Sequence, residues 1–169
     1  MNLVWTCPCC AKRYDTLPFA YVVMEPDAWR AMPVDERSER GTLWTDTCII
    51  DQHQFYVRGR ILIPVVGYKE PFIFNLWAAI SQPDFVRYGQ LWDVEQRGYE
   101  PPFTGRLGNT IAGYPATSGL ECKVVLQNAR VRPSFELQSP DHPLALEQRH
   151  GITLDRVKEI AAVMEQHRK

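Results

Sequence analysis

The sequence predicts an α+β fold, one mostly antiparallel sheet of about five strands with helices packed on it. Three observations carry that expectation. In FYVRGRILIPV, residues 55–65, Phe55, Val57, Gly59, Ile61, Ile63 and Val65 fall on one side, with Tyr56, Arg58 and Arg60 on the other. That is the period of a strand with one buried face. The apolar segments 45–51 and 71–81 flank it across links short enough for antiparallel pairing. Helical spacing falls elsewhere, after Ser81 and toward the C-terminus.

The elements follow in order. A cysteine-containing segment, residues 1–17, opens the chain. Pro26 suits the start of a short helix, because a missing N–H is harmless there, and Pro33 ends or kinks it. The charged run Asp35 to Arg40 reads as a solvated turn. TDTCIID, residues 45–51, is the first strand of the hairpin; the link Asp51–Gln54 has no Asn-Gly pair, so its turn type stays open. PFIFNLWAAIS, residues 71–81, places Phe72, Phe74, Leu76, Ala78 and Ile80 on one face, with Trp77 on a second covered face. Ser81 or Gln82 can cap a helix that Pro83 and Asp84 begin, and Phe85, Tyr88 and Trp92 recur at helical spacing up to about Asp93. Residues 98–119 read as a long Gly/Pro loop, a kind that is often functional. LECKVVLQN and VRPSFELQS give two more strands, the second at an edge or beginning late because Pro133 cannot donate to a ladder. Two helices close the chain within 141–166: one capped by Asp141 or Ser139 and ended by Gly151, the other carrying Val157, Ile160, Ala161 and Met164.

Composition narrows the function. The 169 residues suit a single domain with a sizeable core. The formal net charge is −1, with 8 basic and 10 acidic residues in 1–85 against 11 and 10 in 86–169. Neither half is a polycation, so general nucleic-acid binding is disfavoured. The arginines, 14 against 5 lysines, are scattered. No secretory signal opens the chain, and no apolar stretch approaches the ~20 residues of a membrane span. Five cysteines, three of them crowded, make a poor disulfide framework. A cytoplasmic location fits better.

Candidate chemistry is sparse. CPCCAKRY holds a CxxC, Cys7 and Cys10, with Cys9 between them. Zinc takes four ligands, and a second CxxC is absent, so Cys48 and His53 complete the set as one structural zinc site. The plain alternative is a group of small thiols without metal. His142 beside Asp141 is a candidate binding pair, with backbone capping as the plain alternative. Arg58 and Arg60 form a row suited to an acidic partner, or simply the solvent face of a sheet. No GxSxG, P-loop or GxGxxG pattern is present, and no catalytic residue is assigned.

Beyond single motifs, the order CxxC, LP, TDTCII, FYVRGRILIPV, FNLWAAIS, FTGRLGNTIAGYPATSGL, RPSFEL and DHPLALEQRHGI resembles the bacterial family known as domain of unknown function 2199. The resemblance covers nearly the whole chain. Its most specific pieces are Gly105, Leu107, Tyr114-Pro115, Thr117 and Leu120, then Asp141-His142-Pro143-Leu144, Gln148 and Gly151-Ile152. The family's opening resembles CxxCGxxH; here Ala11 and Tyr14 stand at the glycine and histidine. That removes a natural third metal ligand, so a metal held there would need Cys9 or Cys48. The resemblance implies a soluble bacterial domain and no activity.

The expectation is therefore a non-catalytic domain that binds a protein partner, an inhibitor or immunity-like role being one form. The rival is a small enzyme, with or without zinc, built around Asp141, His142 and the loop 103–119. A pocket joining His142 to that loop would favour the rival.

Overall fold

A computed structural model describes residues 3–166. The chain opens with a small hairpin, β1 (Trp5–Thr6) and β2 (Arg13–Tyr14). β3 (Ala20–Val22), α1 (Asp27–Ala31), a 3-10 turn (Val34–Glu36), α2 (Arg37–Arg40) and β4 (Gly41–Leu43) follow. The hairpin core is β5 (Thr47–Ile50), β6 (Gln54–Ile63) and β7 (Phe72–Ile80). α3 (Gln82–Gln90), β8 (Phe103–Leu107), β9 (Glu121–Val125) and β10 (Ser134–Leu137) lead to α4 (Pro143–His150) and α5 (Leu154–Gln166).

The expected single sheet of about five strands is not what forms. β6, β7, β8, β9 and β10 pair in a ring, and β10 returns to β6, closing a five-stranded barrel. β3 is added beside β7, and β5 and β4 beside β6. Four pairings around the barrel are antiparallel, but the closing one, β10 with β6, is parallel, as is β3 with β7. β8 is the strand that the sequence reading left inside the 98–119 loop. Pro133 marks no sheet edge: β10 starts after it and is paired on both sides, and the Pro133 carbonyl accepts from the Arg60 N–H at 2.9 Å.

Closure rests on two devices. Phe135 lies against Gly59, where a Cβ would come within 2.4 Å of its ring, so only glycine lets the seam close over that phenylalanine. The ladder between β6 and β10 is short, with Ser134 opposite Arg60 as its one register pair. Gln148 of α4 takes over beyond it: its Oε1 accepts from Leu137 N–H at 2.9 Å and its Nε2 donates to the Phe135 carbonyl at 2.6 Å. A side-chain amide thus satisfies the strand groups that lack a neighbour.

The interior holds the inward residues of β6 and β7, among them Val57, Ile61, Phe72, Phe74 and Leu76, with Phe135, Val124 and residues of α4 and α5. A second, smaller core lies on the outer face of β6: Trp29, Met32, Cys48, Ile50, Tyr56 and Trp77. Of the even positions of β6, Tyr56 and Arg58 are therefore buried, while Gln54, Arg60 and Leu62 are half-buried. The hairpin link resolves as a turn with Asp51 and Gln52 at φ 50 and 60, the two positive angles of a type I′ turn.

Candidate functional site

β1 and β2 present the cysteine cluster as a knuckle. The hairpin is tied by Cys7 N–H to the Lys12 carbonyl and Ala11 N–H to the Cys7 carbonyl, both 2.9 Å. Ala11 adopts φ 57, a left-handed conformation that favours glycine. The turn folds Cys7, Cys9 and Cys10 together, their sulfurs within 4.8 Å of one another. Cys7 Sγ lies 2.8 Å from Cys9 Sγ. The Cys9 thiol, and then the Cys9 and Cys10 amides, lower the Cys7 thiol from 9.0 to about 7 against an opposing effect of burial. The bond to Cys7, with burial, raises Cys9. Cys7 is thus held near the thiolate form that binds metals. The cluster could hold a metal ion.

The knuckle is fixed to the rest of the molecule. Trp5 stacks on Tyr14 at 5.1 Å between centroids, and its Nε1 donates to the Thr16 carbonyl at 3.2 Å. Trp5, Cys7 and Leu17 share one hydrophobic cluster with Ala161 and Ala162 of α5. Gln166, at the end of that helix, offsets part of the rise at the Cys9 thiol.

Cys48 does not join this group. It packs with Trp29, Met32 and Trp77 in the outer core, and burial pushes its thiol up to about 12, helped by Glu25. Its cross-strand partner is Tyr56, which places it on the outer face of the sheet. His53 is exposed on the hairpin turn, Nδ1 at 2.8 Å from the Asp51 carbonyl. Cys9, between the CxxC cysteines, supplies the third sulfur instead. His167 lies outside the described residues.

His142 caps α4, its Nδ1 accepting the Leu144 N–H at 3.2 Å, while Asp141 is exposed. The segment 108–119 is held rigidly. Asn109 Oδ1 accepts from Trp77 N–H at 2.9 Å and its Nδ2 donates to the Glu25 carbonyl at 2.9 Å. Thr117 Oγ1 accepts from Ile111 N–H and donates to the Asn109 carbonyl. Tyr114 OH donates to Glu147 at 2.5 Å, and Arg156 holds the other oxygen of that carboxylate at 2.7 Å, tying the loop to α4 and α5.

Arg58 points from β6 beneath the outer layer. Arg58 lies over the Trp77 ring, 5.6 Å from its centroid, and donates to the Val23 and Thr45 carbonyls at 3.2 and 3.3 Å. Burial lowers its pKa, Arg132 adds to that effect, and Asp46 opposes it. Arg60 is half-buried, with an unpartnered Nε.

The family model DUF2199, described as "Uncharacterized protein conserved in bacteria", matches residues 6–152. No curated protein and no solved structure matches the chain.

Proposed function

The chain belongs to the DUF2199 family of bacterial proteins, and from that premise we propose that it is a non-catalytic, partner-binding domain whose N-terminal knuckle takes one structural zinc ion. The carrying observation is the convergence of Cys7, Cys9 and Cys10 within 4.8 Å on a turn whose thiol and amides favour the Cys7 thiolate. Three thiolates are donors that zinc prefers, and it takes a fourth to complete its shell. Zinc there would lock the β1–β2 turn, which packs through Trp5 and Cys7 into the cluster that holds Ala161 and Ala162 of α5.

The same geometry supports a binding rather than a catalytic role. His142, on which an enzyme reading would rest, spends Nδ1 on capping α4. The 108–119 loop is fastened through Asn109 and Thr117. The partner fits a protein, as an inhibitor or immunity-like role would require, better than a nucleic acid, because the net charge is −1. All five cysteines are free thiols, which suits a reducing cytoplasm. Among the described residues no helix is long and apolar enough to cross a membrane.

Elemental analysis of purified protein tests the zinc. About one ion per chain, lost in Cys7→Ser/Cys10→Ser, is the expected result. Protein that stays metal-free after incubation with zinc, with an unchanged thermal midpoint, overturns it.

A further inference from the structure

A cleft opens between the β4–β5 turn and the C-terminal half of α3. It has a volume of about 600 Å³, and Trp44, Thr45, Asp46, Tyr88 and Trp92 line it. Trp44 is 52% exposed, an unusual position for a tryptophan in a folded chain. Gly89, on the same wall, is exposed and adds no side chain to it.

The charge around this cleft does not balance. Arg97, 0% exposed, sits behind the wall, 5.7 Å from the Tyr88 centroid and 4.9 Å from that of Trp92. It donates to the carbonyls of Gln127, Asn128 and Val131, and its Nη1 has no partner. The buried Tyr88 hydroxyl is likewise unpartnered. Arg58 holds the carbonyl of Thr45, and Arg132 holds Asp46 through Nε at 2.5 Å. Three guanidinium groups therefore touch lining residues, and one carboxylate, Asp46, answers them. Arg132 is the accessible one, its side chain 30% exposed.

We propose that this cleft binds a small organic anion with a flat apolar body, an aromatic carboxylate in chemical class, with the ring against Trp44 and Trp92 and the charge toward Arg132. The volume is in the range of small-molecule sites, roughly 300–1,000 Å³, and aromatic walls with a few polar groups are their usual lining. A cationic ligand is disfavoured, because Arg97 already lies against the Tyr88 and Trp92 rings and the surplus charge is positive. The site is separate from the knuckle, so the proposal does not rest on zinc.

The test is a titration of the whole chain with 3-phenylpropionate, 3-phenylpropionamide and propionate, following the tryptophan indole N–H signals by NMR. The acid should saturate and shift Trp44 and Trp92, binding about tenfold or more tighter than either control, the margin of one charge-assisted hydrogen bond. Trp44→Ala and Arg132→Gln should each weaken it several-fold. Asp46→Asn should tighten it, since it removes the carboxylate that competes for Arg132; a merely structural ion pair would not give that sign. Should Arg132→Gln fail to fold, Asp46→Asn and weakening of wild-type binding with added salt carry the test. Equal binding of acid and amide, shifts that spare Trp44 and Trp92, or an Asp46→Asn variant that binds no tighter would each overturn the proposal.

Discussion

Cys7 and Cys48 expose nearly the same small surface, 1% and 0%, yet Cys48 lies deeper and their thiols are displaced in opposite directions. Cys7 falls to about 7 and Cys48 rises to about 12. The difference lies in what surrounds each sulfur. Cys48 sees the rings of Trp29, Tyr56 and Trp77, which offer a negative charge nothing. Cys7 sits at a turn, where the Cys9 thiol and two successive amide N–H groups donate to it. Surface exposure alone thus says little about a cysteine's chemistry; the depth of the sulfur and the donors within reach decide it.

The largest expected effect in this contrast is kinetic. Cys9 and Cys10 are exposed, while Cys48 and Cys122 sit in the two cores. In zinc-free protein, mass-resolved labelling with iodoacetamide should modify Cys9 and Cys10 first. Cys48 and Cys122 should lag by about a thousandfold or more, because they wait for unfolding. Comparable rates at Cys48 would mean that the outer core opens locally and that the contrast is not one of packing.

Stability gives the next effect. Cys48→Ser buries a hydroxyl among Trp29, Met32 and Trp77 and should cost about 1–3 kcal/mol in urea unfolding. Cys9→Ser, at an exposed position, should stay within about 0.5 kcal/mol in the metal-free protein. Equal losses would erase the distinction.

The smallest effect is the most diagnostic, because its sign reverses. The lowered Cys7 thiol contributes stability that is complete above the unfolded value of 9.0 and is lost as pH falls through about 7. Cys48 and Cys122, both near 12, contribute stability that is intact below 9.0 and is lost as pH rises toward 12. In metal-free protein the urea midpoint of wild type should therefore pull ahead of Cys7→Ser between pH 7 and 9. Its lead over Cys48→Ala should shrink above pH 9. Parallel curves for all three proteins would contradict both assignments.

Individual strands and helices are legible in the sequence, although the single five-stranded sheet they suggest is not what forms. β6 and β7 show their period-two pattern, and Ser81 caps α3 through the Asp84 N–H at 3.2 Å as its position suggests. Closure of the barrel is not legible. It depends on β10 meeting β6 in parallel, a pairing between distant segments that leaves one register pair and a glycine under a phenylalanine. β8 does alternate, with Phe103, Gly105 and Leu107 inward, but Gly105 and the surrounding prolines disguise it as loop. The polar even positions of β6 resemble a solvent face because a buried arginine is betrayed only by the carbonyls it reaches, Val23 and Thr45, from other parts of the chain. At the knuckle, the CxxC identifies Cys7 and Cys10 directly. Cys9 is harder to assign, since only the turn geometry brings its sulfur to 2.8 Å from Cys7. The distant Cys48 is a plausible ligand by spacing alone; in the fold it lies opposite Tyr56 in the outer core, apart from the other three sulfurs.

The seam between β6 and β10 also sets an order of events during synthesis. β6 is complete at Ile63, but its closing strand ends at Leu137 and the amide that finishes the join belongs to Gln148. Until that part of the chain leaves the ribosome, the later half of β6 is a bare edge with its N–H and C=O groups unclaimed. Such an edge recruits strands from neighbouring chains. The closing strand Ser134–Leu137 therefore acts as an internal guard against aggregation, and chains cut short before it should accumulate as insoluble material rather than as a smaller folded protein.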